Sequence, residues 1–195
     1  MLTSSRAKPC TPPSTPQPTS WQLQMKQAIR DPLELCQLLD LPDSLVPPAR
    51  EASRDFPLFA PRPFVSRIQH GDPADPLLRQ LLPVRDELSS TPGFTADPLS
   101  EHQQQAMPGL LQKYHGRALL VTTGACAIHC RYCFRRHFPY HESPAAATLW
   151  QPAIDQLQTD ADIEEVILSG GDPLTLVDSQ LKQLVDQLQE IPHLK

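Results

Sequence analysis

Three cysteines within eight residues constrain this chain more than any other feature of its sequence. Cys126, Cys130 and Cys133 follow an apolar, β-branched run at 118–123 that predicts a buried strand. Gly124 interrupts the run, so the thiols are expected on the loop that leaves the strand. Pairing any two as a disulfide would leave the third odd, and no secretory context accompanies them. The pattern therefore predicts a soft metal or an iron–sulfur cluster with one coordination position left open.

Two metal sites compete for this loop. Zinc would bind the three thiolates and take His137 or His141 as its fourth ligand. Structural zinc sites usually draw their ligands from two close pairs, whereas these thiols all lie in one loop. A cluster with one iron free of protein ligands needs only the three cysteines. The spacing Cys-x3-Cys-x2-Cys, with Tyr132 before the last cysteine, resembles the motif of radical S-adenosylmethionine (SAM) enzymes, and zinc stays the alternative.

Composition limits the classes of function. The chain has 195 residues, of which 39% are hydrophobic, and a formal net charge of -5. These values suit one or two globular domains and give no support for a nucleic-acid partner. No apolar run approaches a membrane span or the core of a signal peptide, so we expect a cytoplasmic protein without a membrane partner. Cys10 and Cys36 lie far from the trio and are expected to be free thiols.

The sequence divides into three regions. Residues 1–20 are rich in proline, serine and threonine and are expected to form a disordered tail. Residues 21–112 are predicted to contain a helical layer, followed by a long connecting loop over 84–112. Residues 113–195 are predicted to begin a radical SAM βα barrel.

Helix signals are clear within the helical layer. Asp31 is a predicted N-cap, Pro32 suits the first helical position, and Glu34 can close a capping box. The apolar face of this helix is predicted to consist of three leucines, Leu35, Leu38 and Leu39. Pro47 and Pro48 predict an irregular joint after it.

The second half alternates strand and helix signals. Residues 165–169 predict a second strand, and 178–190 predict an amphipathic helix. Between the strands, a helix over about 144–158 would have the apolar stripe Trp150, Ile154 and Leu157. This order predicts an α/β fold with a parallel sheet. A closed barrel takes about 250 residues, so the residues after the first strand begin a partial, truncated barrel.

A glycine-rich turn follows the second predicted strand. Because the carboxyl ends of parallel strands share one edge of a sheet, Gly170-Gly171-Asp172-Pro173 should lie beside the cysteine loop. The glycines would let a ligand approach free backbone N–H and C=O groups, although alone the pattern also fits a tight turn with a capping Asp172. Radical SAM enzymes carry a similar Gly-Gly-Glu-Pro turn that holds the amino group of SAM. The resemblance implies that Tyr132, Gly170, Gly171 and Asp172 bind SAM.

From about residue 97 onward, the chain resembles the lysine 2,3-aminomutase family. The matching motifs are Pro108-Gly-Leu, Lys113-Tyr114-x-x-Arg117, the cysteine motif with Arg135 and Arg136, Leu168-Ser-Gly-Gly-Asp-Pro-Leu174 and Glu190-Ile-Pro-His193. Segments 75–80 and 133–140 are most similar to family members that make (R)-β-lysine for elongation factor P. The resemblance covers nearly everything after the proline-rich tail.

This resemblance implies an isomerase with three cofactors. A [4Fe–4S] cluster on the cysteines would bind and reductively cleave SAM, and the resulting radical would act on L-lysine held by pyridoxal 5′-phosphate (PLP). Arg135 would bind the substrate carboxylate, and Tyr114 and Arg117 would contact PLP. The implied partners are an electron donor and, indirectly, elongation factor P and its β-lysine ligase.

Several expectations concern single residues. The PLP-bearing lysine is expected beyond Lys195, so the chain alone should not complete the reaction. Arg131 and Arg136 are expected to be solvated charges near an anionic site, and His129 a loop residue rather than an iron ligand. A radical SAM enzyme acting on another amino acid is the alternative enzyme, and a structural zinc module is the alternative outside catalysis.

Overall fold

Short helices form the first part of the structure. The computed structural model describes residues 20–140 and 150–195. The predicted disordered tail therefore lies, except for Ser20, outside the described residues. The helices of the first part are α1 (Trp21–Lys26), α2 (Pro32–Leu38), α3 (Val46–Ala52) and α4 (Arg62–Val65). They enclose a core of aliphatic side chains that we call the N-terminal core: Ile29, Leu35, Leu39, Leu58, Val65, Leu78 and Leu81 are among its members.

Helix α2 begins where the sequence predicts. The side chain of Asp31 accepts a hydrogen bond of 3.0 Å from the backbone N–H of Leu33, and Pro32 opens the helix. Glu34 closes no capping box, because its carboxylate pairs with Arg62 of α4 instead. The predicted apolar face was wrong at Leu38, which is 42% exposed, whereas Cys36 is buried.

The predicted irregular joint at Pro47 and Pro48 was also wrong. Both prolines lie in the first turn of α3. The first N–H groups of a helix have no partner within it, so a proline there removes no hydrogen bond. The prolines therefore help to begin a helix.

A four-stranded sheet follows, in the order β1 (Gln105–Met107), β2 (Leu110–Tyr114), β3 (Arg117–Thr123) and β4 (Glu165–Gly170). The predicted strands at 118–123 and 165–169 are confirmed, and β3 pairs with β4 in parallel. The interpretation of 84–112 as one loop was wrong, because β1 and most of β2 lie there and pair antiparallel, β1 with β2 and β2 with β3. The sheet is therefore mixed, which the βα pattern alone does not predict.

Two helices cover one face of this sheet. Helix α5 (Gln151–Thr159) and helix α6 (Asp178–Gln189) pack over β3 and β4. The predicted stripe of Trp150, Ile154 and Leu157 is buried there, although the predicted helix start near 144 falls in 141–149, outside the described residues. None of the described helices is long and apolar enough to cross a membrane.

The opposite face of the sheet carries side chains that these helices do not cover. Leu119 of β3 lies opposite Ile167 of β4, and Ile167 is 43% exposed. Side chains alternate between the two faces of a strand, so Ala118 and Leu120 pack under the helices while Leu119 points the other way. A site on this second face is built by the sheet and by the segments that approach its edge.

Candidate functional site

The cysteine loop leaves β3 and is held by the N-terminal layer. The backbone N–H of His129 donates to the carbonyl of Phe59 at 3.0 Å, and the N–H of Arg131 donates to the carbonyl of Gln80 at 2.9 Å. The Nδ1 atom of His129 lies 2.9 Å from the carbonyl oxygen of Pro57, consistent with a loop residue. Ile128 packs against the N-terminal core. The helical layer therefore fixes the backbone between the first and last cysteines.

The side chains of two arginines of this loop are largely buried, contrary to the expectation that they are solvated. Arg131 and Arg136 both pair with the carboxylate of Glu87, at 2.5 and 2.8 Å. Arg131 also donates to the carbonyl of Phe56 at 2.9 Å, and both guanidinium groups lie 4.9 Å from the centre of the Phe56 ring. Although burial opposes its charge, the hydrogen bonds from Arg131 hold the pKa of Glu87 below its usual value. The arginines thus tie the loop to the preceding segment.

The three thiols lie close enough to affect one another. Burial raises the pKa of Cys126 to about 11, with further contributions from the charges of Cys133, Asp172 and Cys130. Iron ions would reverse this effect, because positive charge favours thiolates. The donor set fits a [4Fe–4S] cluster, in which each thiolate binds its own iron. Within 20–140 and 150–195, no three His, Cys, Asp or Glu side chains form a group that could hold a single metal ion.

The zinc alternative depends on two histidines. His137 is exposed on the surface of the loop, and His141 lies outside the described residues. No described geometry therefore gives the thiols a fourth protein ligand.

The glycine turn packs directly on the cysteine loop. The N–H of Gly171 donates to the carbonyl of Thr123, and the N–H of Asp172 donates to that of Ala125, both at 2.7 Å. An added Cβ would lie 2.4 Å from the Thr123 oxygen at Gly170 and 2.1 Å from the Ala125 oxygen at Gly171. The expectation of free N–H groups in this turn was therefore wrong for Gly171 and Asp172. Both glycines are needed because two backbones meet there.

The other residues predicted to bind SAM also have contacts within the chain. The carboxylate of Asp172 accepts a 3.0 Å hydrogen bond from the N–H of Leu174, so it caps the next turn. It also lies near enough to Cys126 to raise that thiol's pKa. Tyr132 is 69% exposed, and its hydroxyl lies 3.5 Å from Oε1 of Gln80. The assignment of these residues to SAM stays a prediction.

A cavity of about 270 Å³ on the uncovered face of the sheet brings the other predicted residues together. Tyr114, Arg117 and Arg135, which the resemblance assigns to PLP and to the substrate carboxylate, all line it. Arg117 pairs with Glu165 on the neighbouring strand, and Tyr114 is largely exposed. Tyr114 and Arg135, which are 21 residues apart in the sequence, therefore line the same cavity.

Sequence reasoning missed two partners of Arg135. The guanidinium donates from Nε and Nη2 to the two oxygens of Glu101, at 2.8 and 2.6 Å, and from Nη1 to Oγ of Ser169 at 2.7 Å. Arg135 and Glu101 are each 7% exposed. The arginine predicted to bind a substrate carboxylate thus already holds one from the chain. A pairing across 34 residues has no local signal in the sequence.

Comparisons with known proteins show what this part of the chain resembles. Residues 115–193 match the family model described as a 4Fe-4S single cluster domain. The chain is 45% identical to L-lysine 2,3-aminomutase of Escherichia coli over 183 residues, which are 93% of this chain and 53% of that protein. It is 43% identical to L-lysine 2,3-aminomutase of Haemophilus influenzae over 176 residues, or 90% of this chain and 52% of that protein. The chain spans about half the length of the curated relatives it matches, and over that half it is similar to L-lysine 2,3-aminomutases.

Proposed function

We propose that this chain carries the cluster and SAM part of a radical SAM, PLP-dependent L-lysine 2,3-aminomutase. One observation supports this most directly. The segment that follows the last cysteine, Phe134 and Arg135, lines the same cavity as Tyr114 and Arg117. A cluster on the cysteine loop would thus adjoin a cavity lined by cationic and aromatic groups.

The residues divide the work between three cofactors. Cys126, Cys130 and Cys133 would hold the [4Fe–4S] cluster, while Tyr132, Gly170, Gly171 and Asp172 would surround SAM. When bound, the cofactors supply a radical and carry the migrating amino group. The chain's residues orient these groups and the substrate.

The cavity residues would recognise anions. Arg117, which pairs with Glu165 across β3 and β4, would bind the phosphate of PLP beside Tyr114. Arg135 would bind the carboxylate of L-lysine. Lys113 also lines the cavity, but it matches no family position for the lysine that carries PLP. We place that lysine outside these 195 residues.

The proposal also covers the reaction product and the process that uses it. The resemblance of segments 75–80 and 133–140 supports (R)-β-lysine as the product and modification of elongation factor P in the cytoplasm as its use. An electron donor would reduce the cluster, and a β-lysine ligase would consume the product.

Anaerobic reconstitution with iron and sulfide tests the cluster. We expect about four irons per chain and an EPR signal of the reduced protein that changes when SAM is added. A Cys130→Ser variant should lose most of this iron. Stoichiometric zinc without an EPR signal would instead establish the structural zinc module and contradict the proposal.

The isolated 195-residue chain provides a second test. Supplied with cluster, SAM, PLP, reductant and L-lysine, it should form no β-lysine, because the PLP lysine lies elsewhere. Detection of β-lysine by mass spectrometry would show that this division of the site is wrong. The same assay with L-glutamate in place of L-lysine, run on the whole protein, tests the choice of substrate.

A further inference from the structure

The contact between Glu101 and Arg135 has the geometry of a buried, bidentate ion pair rather than of a surface ion pair. Both side chains are at least nine-tenths buried, and both line the cavity. The carboxylate meets the guanidinium along the edge formed by Nε and Nη2, with both oxygens engaged. Such a bidentate contact fixes the plane of the guanidinium as well as its position.

The backbone of Glu101 is itself held in place. It opens the short 3₁₀ turn Glu101–Gln103, and its N–H donates to the carboxylate of Asp97 at 2.9 Å. On the other side, the guanidinium carbon of Arg135 lies 4.9 Å from the centre of the Phe134 ring. The arginine is therefore constrained by a carboxylate in its plane and by a ring against its face.

Two hydrogen-bond donors of Arg135 have no partner among the residues that the structure describes. A guanidinium has five N–H groups. Glu101 uses one on Nε and one on Nη2, and Ser169 uses one on Nη1. Within 20–140 and 150–195, one N–H on Nη1 and one on Nη2 have no partner, and these two nitrogens form a second edge that a carboxylate can bind.

We propose that Glu101 is a positioning residue for the substrate. It holds Arg135 along the Nε edge, so that the leftover N–H groups present a fixed donor pair to the carboxylate of the amino-acid substrate. It also neutralises the buried guanidinium, which lowers the cost of keeping that charge out of water. This inference rests on the proposed function, because it needs a substrate carboxylate in the cavity.

The test measures whether the protein recognises a carboxylate. The whole protein that contains this chain is loaded with its cofactors, and dissociation constants are measured by calorimetry for L-lysine and for L-lysinamide, which lacks the carboxylate. Glu101→Gln preserves the side-chain volume but removes the charge and one acceptor oxygen. We expect this variant to weaken L-lysine binding about 10- to 100-fold, the effect of losing a charge-assisted contact. Binding of L-lysinamide should change by less than about threefold, because it does not use the donor pair.

A matched control separates positioning from general damage. Glu87→Gln alters another largely buried carboxylate that pairs with arginines, but Glu87 does not line this cavity. It should leave the ratio of the two dissociation constants unchanged. Glu101→Asp is the second variant, and it provides the same measurement if Glu101→Gln fails to fold. It retains the charge on a side chain one methylene shorter, and it should give a ratio between wild type and Glu101→Gln.

The kinetic constants provide an independent readout. A positioning role predicts that Glu101→Gln raises KM for L-lysine more than it lowers kcat, since the carboxylate is bound both before and during the reaction. If Glu101→Gln keeps the wild-type preference for L-lysine over L-lysinamide, the positioning role is wrong while the proposed function stands. If the wild-type protein itself shows no such preference, the role of Arg135 in the proposed function fails, and the inference about Glu101 fails with it.

Discussion

A single methyl group at Gly171 should separate the glycine turn from the cysteine loop. In Gly171→Ala the new Cβ would lie 2.1 Å from the carbonyl oxygen of Ala125 and 2.7 Å from its carbon. Real Cβ contacts essentially never fall below 3.0 Å, so the two backbones must move apart. Ala125 precedes Cys126, so the movement displaces the first of the three thiols.

The structure gives the size of the effect. Widening the contact from 2.1 Å to at least 3.0 Å stretches two hydrogen bonds of 2.7 Å, from Gly171 to Thr123 and from Asp172 to Ala125. Each such bond contributes about 0.5–1.5 kcal/mol, and overpacking a close contact costs about 1–3 kcal/mol. We therefore expect the free energy of unfolding to fall by about 2–6 kcal/mol, with a loss of bound iron.

Two measurements check this prediction. Urea unfolding of the metal-free chain gives the free energy of unfolding, and iron analysis after anaerobic reconstitution gives cluster content. Gly71→Ala is the control. Gly71 has a φ of +71°, but an added Cβ would meet nothing within 4 Å, so only backbone strain of about 1–2 kcal/mol applies. If Gly171→Ala matches Gly71→Ala in stability and also binds full iron, close packing of the turn on the loop is not what requires the glycine.

Three further predictions concern other parts of the molecule. Trp150→Phe should lower the free energy of unfolding in urea by about 1–2 kcal/mol, because the indole N–H donates to the Thr122 carbonyl at 3.2 Å; Trp21→Phe, at an exposed position, should change it little. Backbone N–H groups, that of Leu78 above all, hold the pKa of Asp75 below its usual value. The ionised carboxylate therefore stabilises the fold at pH values above the ordinary carboxyl pKa of about 3.9, and this stabilisation is lost as the pH falls further. Asp75→Asn should therefore flatten the fall of Tm on acidification, and an unchanged slope would contradict it. Glu87→Gln should destabilise the chain by about 1–3 kcal/mol in urea, and adding Arg131→Gln should recover part of the loss; full additivity of the two changes would show that the pair does not interact.

Local signals in the sequence predicted the parts of the fold that depend on nearest neighbours. The apolar run at 118–123 predicted β3, and the apolar stripe over 178–190 predicted α6. In each element the spacing of the apolar residues places them on a face that can be buried. Asp31 and Pro32 placed the start of α2 correctly, since capping involves only residues two or three apart. The order of these elements then predicted the parallel pairing of β3 and β4.

The features that the sequence did not predict depend on contacts between residues that are distant in the chain, or on the position of a residue within its helix. β1 spans three residues and carries no clear alternation, so its strand identity depends on pairing with β2. Pro47 and Pro48 were misread because a proline terminates or begins a helix according to its position in the turn. Leu38 is helical but exposed, since burial depends on which side the neighbouring elements approach.

The candidate site shows the same division. The spacing of the three cysteines, all on one loop, predicted a cluster site without any knowledge of the fold. The burial of Arg131 and Arg136 was not predictable, because Glu87 lies more than 40 residues away along the chain. Glu101 escaped notice for the same reason, although it is the closest partner of the arginine that the resemblance singled out.

These contacts give the N-terminal layer a role that its own sequence did not suggest. No chemistry is predicted for its own residues, yet the carbonyls of Phe59 and Gln80 accept hydrogen bonds from the cysteine loop, and Ile128 packs against the N-terminal core. The glycine turn also holds this segment, because the N–H groups of Gly171 and Asp172 donate to the carbonyls of Thr123 and Ala125. A loop that must present three thiolates to one cluster gains little from its own hydrogen bonds, so its shape has to be imposed by neighbours. Here that shape is imposed by two elements, one before and one after the loop in the chain, which hold the residues between its first and last cysteine.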